Sequence, residues 1–199
     1  MTQYPNWFNQ YADRFFEHHL TPLAGRPGLR FLQIGAFTGD ASVWLFDYIL
    51  TGRHSLLVDV DTWEGSDEPA HDAFDFADVE QVYDRRTTGF FAQSRLIKFK
   101  GTSESFFRSP LHKGSFDFIY IDGDHTCLGV QGDAYNAYQR LKVGGLIAFD
   151  DYLWKSGKGA VYDPGPAIDV IADFYSNGRL ERLDTPQLPG DQVWFRKTR

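Results

Sequence analysis

The stretch FLQIGAFTGDAS, residues 31–42, decides how this chain is read. An apolar run from Phe31 to Ile34 ends in Gly35, and a second glycine, Gly39, stands directly before a helix-compatible segment, DASVWLFDYIL (40–50). Gly35 suits a tight turn, Gly39 suits close backbone approach, and the helix start that follows carries unpaired N–H groups. This is a cofactor-binding form of strand, turn and helix. It departs from the dinucleotide fingerprint GxGxxG, because Phe37 stands where the second glycine would admit a pyrophosphate. The lysine of a phosphate-cradling loop is also missing. The loop favours a cofactor with little phosphate; a glycine turn used only for packing is the alternative.

The same alternation continues outward. Apolar runs LRFLQIG (29–35), SLLVDVD (55–61), RLIKF (95–99), FDFIYID (116–122) and GLIAFD (145–150) are separated by helical segments, including TSESFFRS (102–109) and VQGDAYNAYQRL (130–141). Continuous apolar strands between helices predict a mainly parallel sheet covered on both faces, an α/β fold. In the segment 130–141, Val130, Ala134, Ala137, Tyr138 and Leu141 share one face, with Lys142 and Gly144–Gly145 expected to close the helix. After a helix in PAIDVIADFYSNG (166–178), LERLD and QVWFRK read as two strands joined by the turn-rich TPQLPGD (185–191). That hairpin puts an antiparallel strand into the sheet.

Residues 1–27 read as a helical arm carrying Trp7, Tyr11, Phe15 and Phe16, which packs on its own domain, meets a second copy in a dimer, or flanks a ligand. Residues 28–199 form the main domain, with an acidic insertion at 64–91. Its most acidic part, 64–84, holds eight acids and no Lys or Arg, and predicts a solvated segment with one short helix, part of which packs through Phe74, Phe76, Val79, Val82 and Tyr83, with a place over a ligand as one option.

The 199 residues suit one domain. With 18 Phe, 10 Tyr and 5 Trp, the chain is too rich in bulky apolar groups for wholesale disorder. Its net charge of -7 opposes non-specific attraction to nucleic acid or anionic membranes, so a small-molecule partner is expected. The single cysteine, Cys127, excludes an internal disulfide and a thiolate zinc cluster. No signal-peptide pattern opens the chain, and no apolar run approaches the ~18 residues of a membrane span. A soluble, cytoplasmic protein is the expectation.

Acids at strand ends carry the functional reading. Asp59 and Asp61 close the second strand about twenty residues past the glycine loop, where a carboxylate meets ribose hydroxyls; Asp61, nearer the exit, is preferred. Asp122 and Asp124 end one later strand, and Asp150 and Asp151 end the next. Clustered carboxylates repel unless cations or donors compensate, and oxygen ligands favour magnesium, manganese or calcium. Asp122, Asp150 and Asp151 are the expected metal ligands, leaving Asp124 or His125 for proton transfer. Helix capping is the competing role for Asp124 and His125.

These segments together (LQIGAFTGDAS, VDVDTWEG, KGTSESF, FDFIYIDGDH, LKVGGLIAFDDYLW and the closing helix and hairpin) resemble class I S-adenosylmethionine-dependent methyltransferases. They are most similar to the compact bacterial group of macrocin-type natural-product O-methyltransferases. The resemblance spans residues 29–196. It implies a Rossmann-like seven-stranded sheet of order 3-2-1-4-5-7-6 with strand 7 antiparallel. It further implies that Gly35, Ala36 and Gly39 surround the methionine part of the cofactor, Asp61 reaches its ribose, and Thr102 and Ser103 lie near adenine. Gln33, Phe37 and Asp122 complete the candidate cofactor-binding set. Gln33 departs from the family, where an acid is common. The resemblance also implies Mg2+ or another hard divalent cation on Asp122, Asp150 and Asp151, with Asp124, or a histidine in some members, as base. The expected activity is O-methylation of a small hydroxylated metabolite, with Tyr152, Trp154 and Lys155 as candidate substrate wall and a homodimer as assembly. A metal-independent methyltransferase, a nicotinamide oxidoreductase and a non-catalytic cofactor-binding protein are the alternatives.

Overall fold

The computed structural model describes residues 4–66, 70–110, 114–175, 177–184 and 192–199. Seven strands form one sheet: β1 (Arg30–Ile34), β2 (Leu56–Asp61), β3 (Leu96–Lys100), β4 (Phe116–Ile121), β5 (Leu141–Phe149), β6 (Leu180–Arg182) and β7 (Val193–Lys197). Their order is β3-β2-β1-β4-β5-β7-β6, as the resemblance implied. β1 pairs in parallel with β2 and β4, whereas β7 runs antiparallel to β5 and β6. The connection 185–191, expected as a hairpin turn, lies outside the described residues. Because the order reverses beside β1, the exits of β1 and β4 form the crevice in which open parallel sheets bind ligands.

Alternation along each strand sends its side chains to two separate cores. Phe31, Leu57, Phe118, Tyr120 and Trp194 meet α1 (Asp13–Leu20), α2 (Asp40–Tyr48) and α3 (Phe76–Ala92). Leu32, Val58, Ile119, Ile147 and Phe195 meet α4 (Ser103–Arg108), α5 (Cys127–Arg140) and α6 (Pro164–Tyr175). The amino-terminal arm is therefore part of the first layer: after a π-helical turn at Phe8–Ala12, α1 buries Phe15 and Phe16. The Phe16 ring lies 4.9 Å from Tyr120 and 5.6 Å from Trp194, centroid to centroid, both edge-on. Tyr11 is exposed and Trp7 half-buried, so the predicted stripe divides between core and surface.

Two local readings change. The helix expected to be short in the acidic segment runs 17 residues and is the crossover that a parallel β2–β3 pair requires. Its acids are partly paired, with Glu80 and Asp84 meeting Lys98 of β3 at 2.6 and 2.7 Å. Gly144–Gly145 does not end α5, which stops at Arg140; β5 already begins at Leu141, opposite Phe116. The glycines instead form the irregular start of that strand. A Cβ on Gly145 would come within 2.9 Å of the Lys142 carbonyl and 3.1 Å of the Asp117 carbonyl.

Beneath the first crossover lies a buried polar group. Asp59 is fully buried and accepts hydrogen bonds from Ser42 Oγ (2.6 Å) and Tyr83 OH (2.8 Å). Burial pushes its carboxyl up to about 7. Between about pH 4 and 7 the folded protein holds a proton that the unfolded chain releases, so stability falls as pH rises through that window. The shift corresponds to about 4 kcal/mol at most. Thermal melts are expected to show a higher Tm at pH 6 than at pH 8, with the slope reduced in Asp59→Asn. An unchanged slope in that variant would contradict the assignment.

Candidate functional site

The loop leaving β1 is shaped by its neighbours on both sides. Gly35, Phe37 and Gly39 have φ of 87°, 45° and 80°, all left-handed. Asp61 Oδ2 accepts the backbone N–H groups of Ala36 (2.7 Å) and Phe37 (2.9 Å), and its Oδ1 accepts that of Trp63 (2.7 Å). Gln33 Nε2 donates to the Gly35 carbonyl at 2.8 Å. Gln33 and Asp61 thus brace the turn, and Gly39 caps α2, where a Cβ would come within 3.0 Å of the Tyr83 ring.

A cavity of about 960 Å3 crosses the strand exits from β3 to β5. It is large for a single-ligand site. All nine candidate cofactor residues except Gly39 line it, as do Asp124, His125, Asp150 and Asp151. Seven of the lining residues are aspartates, and the lining includes one Lys and no Arg. Burial, followed by the nearby Asp150 carboxylate, pushes the Asp122 carboxyl above the usual carboxylate range.

Three side chains converge at the β4 and β5 exits. Asp122, His125 and Asp151 each offer a ligand atom, all within 4.8 Å of one another. His125 Nε2 lies 3.1 Å from Asp151 Oδ2 and 3.6 Å from Asp122 Oδ1. Asp151 is aimed there from a left-handed backbone position, φ 58°. Asp150, which also lines the cavity, makes other contacts. Its Oδ1 accepts the Asp151 N–H at 2.9 Å, while Oδ2 accepts Gln192 Nε2 at 3.0 Å and the buried Tyr120 hydroxyl. Asp124 is exposed, and its Oδ1 accepts the Thr126 N–H at 2.9 Å, ahead of the Thr126 side chain that caps α5. The geometry therefore groups His125 with two acids, and gives Asp150 an internal bracing contact and Asp124 a turn contact.

The remaining expectations divide. Thr102 caps α4 by accepting the Ser105 N–H at 3.2 Å, and Ser103 follows it into the cavity lining. Trp154 lines the cavity, its ring 5.4 Å from that of His125. Tyr152 instead donates to Asp169 at 2.9 Å, and Lys155 pairs with Asp163 at 3.5 Å, so neither reaches the cavity. Sequence reasoning missed Asp133 and His71, which line it, while Trp7 and Tyr11 line it as the ligand-flanking alternative for the arm allowed. An acid on the apolar face of α5 was the available signal for Asp133. Trp7 was marked only as part of the aromatic stripe of the arm, and nothing local marks His71; their rings meet Phe37 through folding, at 5.0 and 6.4 Å.

Known proteins agree with this architecture. A family model described as a methyltransferase domain matches residues 32–152, more than half of the chain. The chain belongs to that methyltransferase-domain family. A caffeoyl-CoA O-methyltransferase from Stellaria longipes is 33% identical over a stretch covering 42% of this chain and 37% of that protein. The match thus spans little more than a third of that relative. Two solved structures share the fold. One, from Clostridium thermocellum and named as a candidate rRNA methylase, superposes with a TM-score of 0.69 at 10% identity, covering 95% of this chain and 97% of its own. The other is MycE, from the mycinamycin biosynthetic pathway, crystallised with Mg, SAH and mycinamycin VI. It gives a TM-score of 0.63 at 14% identity, covering 98% of this chain and 50% of its own. At such identities the likeness concerns the fold alone. No helix among the described residues is long and apolar enough to cross a membrane.

Proposed function

We propose that this protein is an S-adenosylmethionine-dependent O-methyltransferase of the small-molecule type, working with a divalent cation on a hydroxylated metabolite. The observation that carries the reading is the convergence of Asp122, His125 and Asp151 on one point of the cavity, beside the glycine loop. An imidazole nitrogen aimed at two carboxylates either carries a proton or shares a cation with them. Two oxygens and one nitrogen fit a divalent ion, with manganese at least as suitable as magnesium. The acid-lined cavity and Phe37 fit a cationic cofactor better than a pyrophosphate. MycE, crystallised with Mg and SAH, lends support by analogy of fold.

When bound, the cofactor supplies an electrophilic methyl group on a sulfonium, and the cation supplies a Lewis acid that favours an ionised hydroxyl. The chain's own residues do the rest. Asp61 and Gln33 hold the β1 loop in the shape that receives the methionine part, while Asp61 Oδ1 keeps acceptor capacity for a ribose hydroxyl. Trp154, Trp7 and Tyr11 wall the acceptor side and exclude water. Asp151 orients His125.

The 3.1 Å His125–Asp151 contact also favours a second, metal-free reading, in which His125 Nε2–H holds the Asp151 carboxylate in place and that carboxylate takes the hydroxyl proton. Metal titration separates the two. With Mn2+ or Mg2+, the cation reading expects saturable heat in calorimetry and a raised Tm, both lost in Asp122→Asn. Methyl transfer across phenol, catechol and sugar acceptors would then stop in chelator. Full turnover in chelator would leave the metal-free reading, and cofactor binding without any turnover would leave a non-catalytic one.

A further inference from the structure

The contacts of Asp150 belong to a longer buried chain that starts on the last strand of the sheet. β5 ends at Phe149, opposite Val193 at the start of β7, so Asp150 and Gln192 leave the antiparallel ladder side by side. Gln192 is 4% exposed, and its amide is held at both ends. The indole N–H of Trp194 donates to Gln192 Oε1 at 2.9 Å. An indole nitrogen cannot accept, so the amide has one orientation, with Nε2 donating to Asp150 Oδ2 at 3.0 Å. Nε2 also donates to the Tyr120 hydroxyl at 3.3 Å, and that hydroxyl donates to the same Asp150 oxygen. With Oδ2 occupied by two donors, Oδ1 is turned to accept the Asp151 N–H at 2.9 Å.

That last bond pins a strained turn. Asp151 has φ 58°, a left-handed conformation unfavourable for a residue with a side chain, and from it the carboxylate meets His125 Nε2 at 3.1 Å. Aim matters at a reacting centre, where a misplacement of about 1 Å costs about 100-fold in rate.

We propose that Gln192 is a positioning residue for methyl transfer: acting through Asp150, it sets the turn that aims Asp151 at His125. The inference rests on the functional reading given above and applies to its metal-dependent and metal-free forms alike. It uses Asp150 as a hydrogen-bond acceptor and not as a charge, so the pair should work equally well with donor and acceptor exchanged.

Three variants test it. Gln192→Leu removes the donor at similar size. Gln192→Glu keeps the acceptor for Trp194 but sets carboxylate against carboxylate. Asp150→Asn combined with Gln192→Glu exchanges the roles: the new amide donates to the new carboxylate and its oxygen still accepts the Asp151 N–H. Both single variants are expected to lower kcat by about 10–100-fold with the KM for the cofactor kept within about 3-fold, and the exchange to restore kcat to within about 3-fold of wild type. Unchanged kcat in the single variants would overturn the proposal. So would a parallel loss of kcat, cofactor affinity and Tm, the mark of general loosening, or an exchange that restores Tm but not kcat, which would show that the Asp150 charge itself serves the site. Spectra of the resting protein with 15N-labelled histidine, at one pH, add a reading free of turnover: the His125 imidazole signals should move in both single variants and return in the exchange. A wild type without turnover whose His125 signals behave in this way refutes the functional reading and leaves the positioning geometry standing. Signals that do not move refute this inference alone.

Discussion

Replacing His125 by alanine is expected to lower methyl transfer by about 10²–10⁴-fold, the range associated with losing a positioned proton-transfer group or a ligand of a reacting centre. Binding of S-adenosylhomocysteine is expected to stay within a few-fold, because the loop braced by Asp61 and Gln33 does not involve the imidazole. Asp151→Ala should resemble it, since the same variant removes the carboxylate 3.1 Å from Nε2. Asp124→Ala serves as the contrast. Its carboxylate accepts a backbone N–H ahead of α5, so the loss should appear as about 1 kcal/mol of stability with turnover largely kept. Single-turnover rates with the best acceptor from the panel, set beside thermal melts, check the pair. A rate loss centred on Asp124 and absent from His125 would reverse the assignment.

Gly35→Ala is the variant with the largest expected effect on the fold. A Cβ there would stand 1.7 Å from the Asp122 carbonyl oxygen and 2.5 Å from its carbon, both backbone atoms. Neither can be relieved by a rotamer change. Gly35 is also left-handed, and its N–H is bonded to the Val60 carbonyl at 2.9 Å, while Asp122 N–H is bonded to Ile34. β1 would have to part from β4 at the point where both feed the cavity. The expected loss is at least about 3 kcal/mol, combining overpacking with backbone strain. For a chain of this length that lowers Tm by about 6–12 °C, and the residual folded protein should bind cofactor poorly. Gly89→Ala is the matching control. Gly89 lies within α3, nothing stands within 4 Å of its added Cβ, and helix propensity favours alanine by about 1 kcal/mol. Equal melting temperatures for the two variants would contradict the packing account.

The role of Gly35 also illustrates how local and tertiary information divide. A glycine between strand and helix is legible in the sequence as a turn. That its hydrogen atom faces the Asp122 carbonyl is not, because residues 35 and 122 meet only when β4 inserts beside β1. Asp61 was legible by its position at a strand exit, whereas its bonds to Ala36 and Phe37 depend on the β1–β2 register. At the acidic cluster, adjacency does not convey the contacts each acid makes. Asp150 and Asp151 look equivalent as neighbours at one strand end, but successive side chains diverge there. Asp150 meets Tyr120 and Gln192, while a left-handed turn aims Asp151 at His125.

By itself, the sequence determined the alternation of apolar strands and helices, the glycine turn after β1 and the gathering of aspartates at strand exits. Each is a property of neighbouring residues and of periods of two or near four along the chain. Only the tertiary structure decided which acids converge, that the amino-terminal arm covers a face of the sheet, and that Asp133 lines the cavity. These are relations between residues far apart in the chain, set by strand order, register and the close packing of helices on the sheet.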